Sequence, residues 1–94
     1  MAVLANQRVA YFNGRIVPER DVVVPFRDRG FLRGDAVFDS TRTFGGRPFR
    51  LRQHVDRLYR SLRYLRIDPG LTPGEMLSIS EEVLARNVHL LDEN

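Results

Sequence analysis

Residues 51–67 read LRQHVDRLYRSLRYLRI. Leu51, Val55, Leu58, Leu62 and Leu65 recur at i, i+4, i+7, i+11 and i+14. That spacing gathers apolar side chains into one stripe of an α-helix. Asp68-Pro69-Gly70 follows and ends it, so a helix is expected over about 51–67. Arg52, Asp56, Arg60 and Arg63 lie on the side away from the leucines, which are ordinary solvated positions. Arg57 differs, because it falls on a flank shared with His54 and Ser61, three residues before and four after. A flank side chain can be held by packing and aimed at a ligand. Together the three offer a cation, an imidazole and a hydroxyl, the donors that suit a phosphate. The same spacing also fits three helix-surface residues making local contacts.

Upstream of the helix the pattern changes from a period of 3.6 to a period of 2. Residues 36–44 (AVFDSTRTF) read as a strand. Val37, Asp39, Thr41 and Thr43 point one way, and Phe38, Ser40, Arg42 and Phe44 the other. Gly45-Gly46 turns the chain into residues 47–50 (RPFR), where Pro48 implies an edge position. Further back, residues 8–12 (RVAYF) and 15–17 (RIV) flank Asn13-Gly14, a strong hairpin signal. Three valines within 21–25 suggest another strand piece, stopped by Pro25. Residues 27–34 (RDRGFLRG) suggest a turn or short helical turn bracketed by Gly30 and Gly34.

Downstream, Thr72-Pro73-Gly74-Glu75 opens a second helix with capping-box spacing and a proline at its first position. Met76, Ile79, Val83 and Leu90, with Leu77, Leu84, Val88 and Leu91, make a face too broad for a simple surface helix. Such a face wants cover on more than one side. The expected fold class is α+β: antiparallel β hairpins with two packed helices. The expected organisation is the N-terminal piece of a longer protein, or else a small domain that dimerises over the same face.

Composition narrows the chemistry. The 94 residues suffice for one small domain. Cysteine is absent, which removes disulfides and thiolate chemistry. All 15 basic residues are arginine, so no side-chain amine is available as a nucleophile or for a Schiff base. His54 and His89 lie 35 residues apart without a partner at ligand spacing, and no metal site is expected. Asp28, Asp35 and Asp39 do not form a glycosidase pair, and Ser40 and Ser61 lack a nucleophile-elbow context. The glycines at 30 and 34 match neither a P-loop nor a dinucleotide fingerprint. A pI near 10.2 invites a nucleic-acid reading. The arginines, however, run from Arg8 to Arg86 among twelve acids, with no recognition motif. No apolar run approaches a membrane span, and the opening MAVLANQR lacks the apolar stretch of a secretory signal. The expected setting is the cytoplasm, with neither nucleic acid nor membrane as partner.

The order of several motifs resembles the N-terminal domain of the class IV (fold type IV) pyridoxal-phosphate aminotransferases. That family includes the branched-chain and D-amino-acid aminotransferases, the (R)-selective amine transaminases and aminodeoxychorismate lyase. The motifs are Phe12-Asn13-Gly14, Asp28-Arg29-Gly30 and Gly34-Asp35-Ala36-Val37-Phe38-Asp39. Gly45-Gly46 with Phe49-Arg50-Leu51, and His54-Val55-Asp56-Arg57-Leu58-Tyr59-Arg60-Ser61, complete the series. The tail 87–94 resembles the stretch before that family's central strand.

The resemblance implies the small domain of the D-amino-acid aminotransferase-like fold across residues 1–94, without the lysine-bearing C-terminal domain. It implies pyridoxal 5′-phosphate as cofactor in the full-length parent, with Arg57 holding its phosphate. Phe31, Arg33, Phe38 and Arg42, and less directly Ser40, would line the substrate pocket. The family's Schiff-base lysine would lie beyond position 94. The parent would thus be a transaminase acting on a branched-chain or other aliphatic amino acid, or an amine, with a 2-oxo acid acceptor. It would be a homodimer, and the 94-residue chain alone would be inactive and contain no catalytic residue. The alternatives are a lyase of the same fold and a non-catalytic dimerisation or interaction domain. Two departures bear on substrate: Asp39 stands where glutamate is common, and neither position 31 nor 33 is tyrosine.

Overall fold

A computed structural model describes residues 7–91. Most of the opening MAVLANQR, and the last three residues of the tail 87–94, lie outside the described residues. Strands β1 (Val9–Phe12) and β2 (Arg15–Pro18) pair antiparallel, with Val9 opposite Pro18 and Phe12 opposite Arg15. Asn13 and Gly14 both take positive φ, 50° and 94°, the condition for a two-residue turn that matches strand twist. Glu19 N–H then bonds Arg8 O, and the chain curls into a 3₁₀ turn, Glu19–Asp21. The valine strand expected at 21–25 does not form. Val23 and Val24 are exposed, because β-branched residues favour a strand only where a partner edge and a packing face exist.

Helix α1 (Arg29–Arg33) occupies the glycine-bracketed segment. Asp28 caps it by accepting from the Gly30 and Phe31 N–H groups, and Gly34, at φ 72°, closes it. The strand expected over 36–44 is mostly not a strand. Only β3 (Thr43–Phe44) enters a ladder, with β4 (Arg47–Pro48), extended by one bond from Phe49 N–H to Arg42 O. The two-residue alternation nevertheless survives in the burial. Val37, Asp39, Thr41 and Thr43 are half-buried, whereas Phe38, Ser40, Arg42 and Phe44 are exposed. What the segment faces is a helix rather than another strand. Val37 packs on the core and Asp39 bonds helix side chains.

Helix α2 (Leu51–Leu65) stops two residues short of the expected end. Arg66 adopts the left-handed conformation at φ 58°. Its N–H bonds Arg63 O while Ile67 N–H bonds Leu62 O, the paired bonds of a Schellman stop. This reversal returns Ile67 to the core. Helix α3 (Pro73–Asn87) begins at the expected capping box. Thr72 Oγ1 accepts from Glu75 N–H at 3.1 Å, and the Glu75 carboxylate accepts from Thr72 N–H at 2.8 Å. A 3₁₀ turn, Val88–Leu90, follows.

The architecture is α+β, with two hairpins and the packed pair α2 and α3. Among the described residues the buried centre is Val55, Tyr59 and Leu62, surrounded by Val37, Leu51, Leu58, Ile67, Met76 and Leu77. Tyr59 joins the core although it lies outside the leucine stripe. Its hydroxyl donates to Leu71 O at 2.7 Å, so burying it leaves no orphaned polar group. Leu65, inside the stripe, is exposed instead. Asn87, at the end of α3, fastens that helix to β1. Its Oδ1 accepts from Val9 N–H, and its Nδ2 lies 2.9 Å from both Val9 O and Val83 O.

Candidate functional site

Two neighbouring elements build the site. The half-buried side of the 36–42 segment delivers Asp39, and α2 delivers His54 and Arg57 one turn apart. The Asp39 carboxylate receives Arg57 through a fork, Nε to Oδ2 at 2.8 Å and Nη2 to Oδ1 at 2.7 Å. Such a pair fixes the plane of the guanidinium as well as its position. His54 Nδ1 lies 2.8 Å from the same Oδ1. An ionised carboxylate only accepts, so the imidazole donates there. The Asp39 side chain is 10% exposed and that of Arg57 is 57% exposed. One end of the ion pair is thus seated in protein while the other reaches water.

This arrangement moves the titration of Asp39. The Arg57 hydrogen bonds hold its carboxyl far below the usual carboxylate range, and the His54 bond adds to this, against an opposing effect of burial. Arg57 is shifted upward by the same bonds and remains a cation. A carboxyl with a lowered folded-state pKa contributes stability above its unfolded pKa and loses it as the pH falls through the folded value. Comparing urea midpoints of the wild type and Asp39→Asn should show a gap at neutral pH. That gap should narrow below about pH 4. A gap that stays constant into acid would mean that the carboxylate charge contributes nothing there.

Arg57 also borders a shallow depression of about 380 Å³, lined by Val37, Arg57, Arg60, Ser61, Tyr64 and Leu65. Arg60, Ser61 and Tyr64 stand three, four and seven residues after Arg57, the spacing of one helical flank. Two cations and two hydroxyls therefore share one open wall, a donor set suited to an anion. Of the expected trio, Arg57 and Ser61 meet at this wall, while His54 turns to Asp39. Arg60, assigned by spacing to the solvated side, joins it.

The other expected site residues lie elsewhere. Phe31 on α1 is exposed, with its ring 6.2 Å from that of Phe26. Arg33 joins Arg27, Arg29 and Leu32 around a second depression. Phe38 is 87% exposed, and Arg42 stacks over the Phe44 ring at 5.1 Å. Phe38, Ser40 and Arg42 share one exposed face, as the alternation implied, and it is the face turned away from Asp39. Asp39 itself was missed as a site residue. The signal was present, because it alternates in phase with Val37. Among the described residues no group of three or more potential ligands could hold a metal ion, and no helix is long and apolar enough to cross a membrane.

A family model for amino-transferase class IV matches residues 36–89, which contain Asp39, α2 and the whole of α3. Over 77 residues the chain is 44% identical to the "Putative branched-chain-amino-acid aminotransferase" of Methanocaldococcus jannaschii. The match covers 82% of this chain and 27% of that relative. It is 39% identical over 77 residues to the aminodeoxychorismate lyase of Bacillus subtilis, covering 82% of this chain and 26% of the relative. It is 29% identical over 77 residues to the D-alanine aminotransferase of Staphylococcus haemolyticus, with shares of 82% and 27%. The chain spans about a quarter of the length of these curated relatives.

Proposed function

The chain belongs to the class IV aminotransferases, and from that premise we propose that residues 1–94 form the N-terminal small domain of a transaminase. The parent uses pyridoxal 5′-phosphate and transfers an amino group from a branched-chain or other aliphatic amino acid, or an amine, to a 2-oxo acid. One observation carries this reading. Arg57 is clamped on one edge by Asp39 and borders a wall with Arg60 and Ser61, where an anionic phosphate would be met by charge and hydroxyl donors.

The residues present fit the phosphate end of that cofactor. Arg57 would hold it, with Ser61 as a hydroxyl donor and Arg60 as a second cation. When bound, the cofactor supplies the electron sink for bond breaking at the substrate's α-carbon. Phe31, Phe38, Arg33 and Arg42 would form part of the substrate wall, where the aromatic rings exclude water and the guanidinium groups meet a carboxylate. The sequence contains no lysine, so the amine that engages the cofactor comes from the lysine-bearing domain, and these 94 residues alone are inactive. The large exposed apolar side chains, Phe26, Phe31, Phe38 and Tyr64 among them, support a chain that works against further polypeptide. A homodimer in the cytoplasm completes the proposal.

The test is cofactor retention in the full-length enzyme. Arg57→Ala should weaken it by about 10- to 100-fold, the loss of one charge-assisted contact of ~1.5–3 kcal/mol. Unchanged retention would remove Arg57 from the site. The 39% identity to a protein named aminodeoxychorismate lyase favours a second reading, a lyase on the same scaffold. Assays of L- and D-amino acids, amines and aminodeoxychorismate separate the two by product.

A further inference from the structure

We infer that Asp39 is the positioning residue of this site: it occupies one edge of the Arg57 guanidinium so that the opposite edge is presented, already oriented, to a phosphoryl anion. The inference rests on the reading of Arg57 given above and deepens it. The fork uses Nε and Nη2. These two nitrogens form the lateral edge of the guanidinium, and Nη2 also lies 3.1 Å from His54 Nδ1, which leaves both N–H groups of Nη1 facing outward. A free arginine side chain gives up about 2 kcal/mol of rotamer entropy when it is fixed. Here the ion pair fixes it before any ligand arrives, so less is lost on binding.

The carboxylate is itself held. His54 Nδ1 bonds Oδ1, and the Asp39 side chain is nearly buried against α2. Arg57 is long and more than half exposed, and among the described residues nothing comparable restrains its tip from the solvent side. The sequence shows why this works without a strand ladder. Residue 39 shares the inward phase of the 36–43 alternation with Val37, and Val37 seats that phase on the core.

The sign of one substitution separates positioning from electrostatics. Asp39 is an anion beside a site for an anion. If it acted only through its charge, neutralising it would tighten phosphate binding. If it positions Arg57, Asp39→Asn should weaken binding although repulsion is removed. The experiment titrates inorganic phosphate, and in parallel pyridoxal 5′-phosphate and unphosphorylated pyridoxal, into the full-length protein freed of cofactor. It follows the Arg57 Nε–H resonance by NMR. In the wild type that signal should be slow to exchange, and it should keep its fork-bonded shift as phosphate binds.

Asp39→Asn should lose the protected signal and bind phosphate about 5- to 10-fold more weakly, whereas Asp39→Glu, which keeps the carboxylate, should recover most of both. Binding as tight or tighter in Asp39→Asn overturns the inference and leaves the phosphate reading intact. Unchanged phosphate binding in Arg57→Ala, or no response of Arg57 to either phosphate compound, overturns the phosphate reading beneath it. Should Asp39→Asn fail to fold, the wild-type signal decides. Loss of the fork on phosphate addition means that Asp39 competes with the anion rather than orienting its receptor.

Discussion

Leu62→Ala should cost about 3–4 kcal/mol, a large share of the ~5–14 kcal/mol expected for a domain of this length. Leu62 is one of three side chains buried at the centre, between α2 and α3, with Val55 and Tyr59. Alanine removes three carbons from a site already packed, and the loss combines transfer energy with the cavity left behind. Partial collapse is available, because Leu58 and Ile67 border the centre and are only half-buried. This keeps the expectation below the upper end of the known range. The Schellman bond from Ile67 N–H to Leu62 O is a backbone bond and survives the change. Urea unfolding followed by circular dichroism should show a lower midpoint with an unchanged slope. Leu65→Ala is the internal comparison. It lies on the same sequence stripe but is 46% exposed, and should cost under about 1 kcal/mol. Equal costs at the two positions would mean that the centre of the core has been misplaced.

Those two leucines also show what the sequence does and does not carry. Periodicity located α2 and its apolar side, because a helix satisfies its own backbone and needs only one face covered. Which stripe residue sits at the centre depends on partners elsewhere in the chain, and periodicity holds no information about them. Tyr59 is buried because Leu71 O lies ready to accept its hydroxyl. The α3 start was legible to the residue, since a capping box is local chemistry between positions 72 and 75. The Asn13-Gly14 hairpin was legible for the same reason.

The missed strands have non-local causes. The valines at 22–24 and the segment 36–42 have strand composition, and strand composition becomes a strand only beside a free edge. The 36–42 segment lies against α2 instead, which preserves its alternation and discards its ladder. This matters for the site. The resemblance assigned Phe38 and Arg42 to the substrate pocket, a placement compatible with the strand alternation, and left Asp39 as a departure from a family pattern. With α2 beneath it, the inward face is the one that meets Arg57. Phe31 and Arg33 rested on resemblance alone, and no local signal in 27–34 specifies where α1 sits relative to α2.

Asn87→Ala should cost about 2–3 kcal/mol and loosen β1 without disturbing the centre of the helix pair. The Asn87 amide takes the place of a third strand. Its Oδ1 accepts from Val9 N–H and its Nδ2 donates to Val9 O, so one side chain satisfies both outward backbone groups of that residue. Val9 stands opposite Pro18 in a non-hydrogen-bonded pair, so both of its backbone groups point away from β2 and that strand cannot compensate. Alanine strands two partly buried backbone groups and also removes the bond to Val83 O. Each net bond is worth about 0.5–1.5 kcal/mol, and water can reach the partly exposed groups, which sets the estimate below the fully buried case. Amide exchange reports it locally. Val9 N–H should exchange much faster in the variant, while amides in the middle of α2 slow or quicken only with global stability. Asn87→Asp sharpens the argument. It keeps the acceptor for Val9 N–H but turns the donor into a carboxylate facing two carbonyl oxygens. At neutral pH it should be at least as damaging as alanine, and it should recover in acid once the carboxyl is protonated and can donate again. A stable Asn87→Ala variant with Val9 N–H still protected would show that the hairpin holds its place without α3.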